Sequence, residues 1–113
     1  FAHMPVVHFD DNDQMQRRLL ASHAPKAKPP FHVVPSSEGF VAAIMAGLGW
    51  GAIPEAQIGD ALDTGELMRL DPQMHEDVVL FWQSWRIESA LLARLTSAVR
   101  AASRDLRRPR QGD

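Results

Sequence analysis

The 113-residue sequence predicts an α/β domain, and three observations support this prediction. Short apolar runs typical of strands alternate with amphipathic segments of helical period. Proline, glycine or acidic clusters separate these segments, so the connections are short. The apolar content of 45% and the charged content of 23% are those of an ordinary soluble globular domain. Strands separated by helices favour parallel pairing and therefore a layered α/β fold.

Five strands and four helices make up this alternation. The predicted strands are 6–9, 31–34, 50–53, 67–70 and 78–82. The predicted helices begin after the acidic cluster 10–13, at Ser36, at Pro54 and at Glu88. Gly47 and Gly49 should end the second helix and Gly65 the third, because glycine tolerates the conformation found just past helix ends. We expect 67–70 to be an edge strand and 78–82, the most hydrophobic run, to be a buried one.

The last predicted helix runs from Glu88 to about Leu106 and is amphipathic. Its inner stripe consists of Leu91, Leu92, Leu95, Val99 and Ala102. Residues 100–113 carry five arginines and two acidic residues, which we interpret as a solvated tail. Attraction to a nucleic-acid backbone is the rival interpretation, but no aromatic residues are interleaved there to stack on bases.

The composition also excludes several classes of site. Cysteine is absent, which excludes disulfides and thiolate metal sites and is compatible with a reducing cytoplasm, where we expect the protein to work. No apolar run approaches the roughly 20 residues that span a bilayer, so no membrane partner is expected. We expect no cofactor.

The most informative local feature is the turn at Pro35, where the second predicted strand ends and a helix begins with Ser36, Ser37 and Glu38. A helix start leaves backbone amides unpaired and carries partial positive charge. At the carboxyl end of a strand in an open α/β sheet, such a start is where ligands collect. Two hydroxyls and free amides would suit a carboxylate, phosphate or sulfate. The alternative is purely structural, with Ser36 as the helix cap and Glu38 favouring the first turn.

Asp10 and its acidic neighbours follow the first strand in the same way. In a parallel sheet both clusters would lie at one edge, so that amides suited to an anion would sit beside carboxylates. That pairing suits a zwitterion such as an amino acid. Capping of the next helix and solvation are the alternative roles of Asp10, Asp11 and Asp13.

The same residue types suggest two further chemistries. His8, His32 and Asp10 could be imagined as metal ligands, but nothing in the sequence offers a known ligand spacing. Ser36, His8 and Asp10 are the residue types of a catalytic triad, but the Gly-x-Ser-x-Gly motif of a nucleophile elbow does not surround the serine. We therefore expect neither a metal nor an enzyme.

Several stretches together resemble the LysR-type transcriptional regulators, and within them the lysine- and arginine-sensing ArgP/LysG group. The stretches 34–40 (Val-Pro-Ser-Ser-Glu-Gly-Phe) and 46–54 (Ala-Gly-Leu-Gly-Trp-Gly-Ala-Ile-Pro) carry the resemblance to the wider family. Phe9-Asp10 with Asp13 and Gln16, and the tryptophan-rich segment 80–85 followed by 88–92, are similar to the narrower group. The resemblance covers nearly the whole chain.

This resemblance implies a fold of two α/β lobes, like a type II periplasmic binding protein, with an effector held between the lobes. By it, residues 1–77 form lobe two with the crossover, 78–106 the returning strand and helix of lobe one, and 107–113 a basic tail. It implies a non-enzymatic regulatory piece that responds to lysine or arginine. The effector-binding residues would be Ser36, Ser37, Glu38 and Asp10.

The sequence contains no helix-turn-helix, so DNA contact is expected only through a separate N-terminal domain. An alternative is the solute-binding component of a transporter, which shares the fold. The apolar strand 78–82 and the inner face of the last helix would be exposed without lobe-one neighbours. We therefore expect self-association.

Overall fold

The computed structural model describes residues 2–106, which fall into two compact units that meet in sequence at Glu76 and Asp77. The first unit holds strands β1 (Val6–His8) and β2 (Phe31–Val33) and helices α1 (Met15–His23), α2 (Ser37–Met45) and α3 (Glu55–Ile58). The second unit holds helix α4 (Ala90–Ala102). Strands and helices alternate in the first unit, which confirms the predicted α/β class.

Strand β1 is paired on both sides. It runs parallel to β2 in the register Val6↔Phe31, Val7↔His32 and His8↔Val33. On its other side, the Val7 amide donates to the Trp50 carbonyl at 2.8 Å, and Val6 forms a parallel bridge with Trp50. The predicted third strand at 50–53 is thus reduced to one bridge, and β1 is the central strand.

The core of the first unit lies around this central strand. Val6 and Val7 are 1% and 0% exposed although successive strand residues point to opposite faces. Both faces of β1 are therefore covered, as expected for a parallel sheet with helices on each side. Leu19 of α1 and Trp50 complete the buried cluster with Val6.

Two glycines after α2 have structural roles: Gly47 ends the helix, and Gly51 allows close packing against it. The amide of Gly47 donates to Ile44 and that of Leu48 to Ala43, both at 3.0 Å, and Gly47 has φ +82°. This is a Schellman ending, so the predicted stop at Gly47 is confirmed. A Cβ on Gly51 would lie 2.7 Å from the Phe40 ring, so α2 packs directly on the backbone there.

The elements predicted between Pro54 and residue 82 are wrong or too long. The helix after Pro54 ends at Ile58 before Gly59, which has φ +58°, rather than at Gly65. No strand forms at 67–70 or at 78–82 within residues 2–106. Hydrophobicity alone does not make a strand, because a strand needs a backbone partner and a surface to bury it. Residues 78–82 are instead 46–83% exposed, which contradicts the predicted burial.

Helix α4 forms where a helix was predicted, but it is shorter than the predicted 88–106, and none of its residues is buried. Leu91 and Leu95 of its apolar stripe are 75% and 49% exposed. Trp82 Nε1 donates to Thr96 Oγ1 at 3.2 Å, which links the preceding apolar segment to this helix. The exposure expected for this segment and helix without lobe-one neighbours is therefore found, whereas the buried strand expected from hydrophobicity alone is not. The basic tail 107–113 lies outside the described residues, and none of the described helices could cross a membrane.

Candidate functional site

Two loops leave the sheet at the same edge. Because β1 and β2 are parallel and His8 is in register with Val33, Asp10 and Ser36 both follow the carboxyl ends of neighbouring strands. The Val34 amide donates to the His8 carbonyl at 2.9 Å, which keeps the strands paired up to that edge. The expectation that the serine turn and the acidic cluster share an edge is thus met by the geometry.

The serine turn caps α2. Ser36 is extended, with φ −149° and ψ 128°, and its Oγ accepts from the Gly39 amide at 3.1 Å. The predicted capping role of Ser36 is therefore present. The bond uses Oγ as an acceptor and leaves the hydroxyl proton as a donor. By helix geometry, the amides of Ser37 and Glu38 have no acceptor within the helix.

This turn lies at the surface. Ser36, Ser37 and Glu38 are all exposed, so a small molecule can reach their side chains. Ser37 and Glu38 also line a shallow open depression along α2, together with Val41, Ala42, Met45 and Gln57. The partial positive charge of the helix start favours an anionic group there, while the Glu38 carboxylate favours a cationic one.

In the acidic loop between β1 and α1, Asp10 and Asp13 accept different backbone hydrogen bonds. Asp10 Oδ1 accepts from the Asn12 amide at 2.8 Å in a local turn. Asp13 accepts from the Phe9 amide at 2.9 Å and from the Met15 amide at 3.1 Å, so it joins the end of β1 to the start of α1. Asp13 thus satisfies the first amide of α1, while the cap position itself is Gln14, outside the acidic cluster and without a side-chain cap bond.

Sequence reasoning missed the role of Gln16, which it noted only as part of the resemblance. Gln16 is 2% exposed. Its amide is assigned with the nitrogen toward Asp13, because the opposite orientation would set its oxygen against the carboxylate, and in this orientation it donates to both carboxylate oxygens at 2.7 and 2.8 Å. The available signal was the spacing of Asp13 and Gln16, a carboxylate followed three residues later by a glutamine at the start of a helix.

His8 is the titratable group most affected by this edge. Its Nδ1 is buried and has no hydrogen-bond partner in the described part of the chain, and its ring meets Phe31 edge-on at 5.7 Å. Burial lowers the pKa of His8 below 6.5, Arg17 lowers it further, and Asp13 opposes the shift. His8 and His32 occupy alternating register positions, so they point to opposite faces and do not converge on a shared ligand. Among residues 2–106, no group of three or more His, Asp or Glu side chains is placed to hold a metal.

A parallel sheet whose carboxyl edge presents a capped helix start beside a carboxylate loop is typical of the ligand-binding lobes of α/β proteins. Comparison with known proteins agrees. Residues 1–104 match the LysR substrate binding domain, and the chain belongs to this family of LysR-type regulators, with its periplasmic-binding-protein-like type II fold.

The relatives place the chain close to one group within that family. It is 48% identical to the lysine export transcriptional regulatory protein LysG of Corynebacterium efficiens, over 89% of this chain and 35% of that protein. It superposes on ArgP of Mycobacterium tuberculosis with a TM-score of 0.84 and 39% identity, over 96% of this chain and 38% of that one.

A second solved structure is full-length LysG of Corynebacterium glutamicum with bound effector Arg. The chain matches it with a TM-score of 0.78 and 40% identity, over 96% of this chain and 38% of that one. The chain therefore spans about a third of the length of these relatives. The LysG of Corynebacterium efficiens is named as a transcriptional regulatory protein, in agreement with the predicted regulatory, non-enzymatic class.

Proposed function

We propose that this chain is the effector-sensing segment of a LysR-type transcriptional regulator that responds to lysine or arginine. The observation that carries the proposal is the shared sheet edge, where the start of α2 and the Asp10 loop present opposite charge preferences to one zwitterion. The structure of the LysG relative with bound effector Arg supports a basic amino acid as the effector.

Each residue has a distinct role in this proposal. The hydroxyls of Ser36 and Ser37 and the amides of the first turn of α2 receive the effector carboxylate, which the helix dipole also favours. Asp10 pairs with the amino group or the basic side chain. Glu38, exposed on the first turn, supplies a second negative charge toward the cationic end.

The proposal also assigns the lobes. Residues 1–77 form lobe two with the crossover, and 78–106 form the returning strand and helix of lobe one. Lobe one is completed by chain that this sequence does not include, and the regulator binds DNA in the cytoplasm through a separate N-terminal domain. The share of the relatives' length that the chain spans, about a third, supports this division.

The test is calorimetric titration of arginine and lysine into the full-length regulator and its Ser36→Asp variant. Aspartate is as good a helix cap as serine, so the fold is kept while a negative charge enters the carboxylate position. We expect affinity to fall by about tenfold or more, since a like charge replaces a charge-assisted hydrogen bond.

A matched control is available at the start of α4. Ser89 caps that helix as Ser36 caps α2, and its Oγ accepts from the Leu92 amide. Ser89→Asp should leave the affinity unchanged. Unchanged affinity in Ser36→Asp would remove the serine turn from the site, and absence of any arginine or lysine binding by the unaltered regulator would refute the proposed effector class.

We also propose that the 113-residue chain by itself associates with a second copy through its apolar segment. Val79, Leu80, Phe81 and Trp85 are 72–83% exposed, and an apolar patch of this kind tends to find a partner. Light scattering over a concentration series should show a dimer. A monomer at every concentration would contradict this.

A further inference from the structure

The loop that carries Asp10 is built around one carboxylate, that of Asp13. Asp13 Oδ2 accepts from the amide of Phe9, the residue directly before Asp10. Asp13 Oδ1 accepts from the amide of Met15 at the first turn of α1, and the Asp13 amide donates to the Asp10 carbonyl at 3.2 Å. The backbone on both sides of Asp10 is therefore held by bonds to Asp13.

Asp13 is in turn held by Gln16. The Gln16 side chain is as buried as Val6 and Val7, and its amide nitrogen meets both Asp13 oxygens at hydrogen-bond distance. A buried amide has a fixed rotamer and requires its partner, because leaving it unsatisfied costs the full desolvation of the group. Helix α1 is fixed because Leu19 packs in the core. Gln16 lies on this helix and therefore holds the Asp13 carboxylate, and with it the loop, in a fixed position.

We infer that Gln16, acting through Asp13, is a positioning residue that sets where Asp10 meets the effector; this inference rests on the proposed function. Gln16 is buried in the first unit and does not itself contact the effector. Its amide donors occupy both Asp13 oxygens, so that the Asp13 carboxylate serves the fold of the loop while Asp10, which is half-buried, keeps one oxygen outside its local turn. The resemblance motif Phe9-Asp10-x-x-Asp13-x-x-Gln16 then has a physical role for each of its polar members.

The experiment is a double-mutant cycle on arginine affinity in the full-length regulator. Gln16→Met keeps the length of the side chain and removes the amide. We expect Gln16→Met to weaken arginine binding by about tenfold, the loss typical of a misplaced charged hydrogen bond. In an Asp10→Asn background, where the carboxylate is already gone, Gln16→Met should cause no further loss.

Two variants keep the test decisive. Ala61→Gly destabilises the first unit at a buried position outside α1 and the Asp10 loop, and it should lower the melting temperature while leaving arginine affinity unchanged. Asp13→Asn keeps the size of the side chain and removes its charge, so it replaces Gln16→Met in the cycle if that variant does not fold.

The outcomes separate this inference from the proposed function. An equal loss from Gln16→Met with and without Asp10 would mean a general structural role and would overturn the inference. Full affinity in Gln16→Met, alongside weak binding by Asp10→Asn, would overturn it too and leave the proposed site standing. Full affinity in Asp10→Asn with weak binding by Ser36→Asp would overturn the inference and the role of Asp10, while effector sensing would stand.

Discussion

Helices α2 and α4 begin in the same way and lie in different surroundings. Ser36 and Ser89 have nearly identical backbone angles, φ −149° and ψ 128° against φ −145° and ψ 124°. Each accepts a hydrogen bond from the amide three residues on, at 3.1 Å and 3.4 Å. A serine cap is therefore a local device, and by itself it indicates a helix start and no function.

The difference lies in what precedes and covers each helix. Helix α2 follows β2 at the carboxyl edge of a parallel pair, contacts β1, and buries Phe40. Helix α4 follows a segment without a described strand and buries nothing. A capped helix start therefore becomes a candidate site when a sheet fixes it beside a second polar loop.

The largest expected effect is the difference in stability loss when a tryptophan of each unit is replaced. Trp50 is 5% exposed in the core around β1, and Trp85 is 82% exposed. Trp50→Ala should lower the free energy of unfolding by roughly 3–5 kcal/mol, because it removes a large buried side chain and leaves a cavity. Trp85→Ala should change it by less than about 0.5 kcal/mol.

Urea denaturation of the 113-residue chain, followed by far-ultraviolet circular dichroism at a dilution where the chain is monomeric, measures both values. Equal destabilisation by the two substitutions would mean that Trp85 is packed in solution, and the contrast between the two units would then be wrong.

A smaller effect is expected at the caps. Ser36→Ala should lower the stability of the first unit by about 1 kcal/mol, and Ser36→Gly by only a few tenths, because glycine tolerates the cap conformation. Ser89→Ala should loosen the first turn of α4 without moving the main unfolding transition, since α4 buries no residue. Amide hydrogen exchange resolves the two helices separately, and a shift of the main transition by Ser89→Ala would show that α4 is coupled to the core.

The elements that could be predicted from the sequence are those with local signals. The start of α2 follows from Pro35 and Ser36, and its end from Gly47. Helix α1 follows from the acidic cluster before Met15, and α4 from its apolar period. These signals involve residues within one or two turns of each other, so no knowledge of distant contacts is needed.

The elements that could not be predicted depend on distant partners. Residues 78–82 are as hydrophobic as a buried strand, but no described strand pairs with them, and they are exposed. The candidate site divides in the same way. Ser36 and Asp10 could be placed at one edge from strand order alone, whereas the Gln16 amide on Asp13 and the buried Nδ1 of His8 depend on how α1 and β2 pack.

The smallest expected effect concerns pH and sharpens the contrast between exposed and buried groups at this edge. Burial lowers the pKa of His8 in the folded chain, so the unfolded chain binds the proton more readily. The contribution of His8 to stability is therefore fully present above its ordinary pKa of 6.5. It is lost as the pH falls below that value and through the lowered pKa of the folded state.

His8→Gln should flatten this part of the stability profile, measured as urea midpoints between neutral and mildly acidic pH. His32→Gln, an exposed change on β2, should keep the wild-type slope. A profile that is the same for wild type and His8→Gln would show that the imidazole is solvated in solution, and the burial of its Nδ1 would then be wrong.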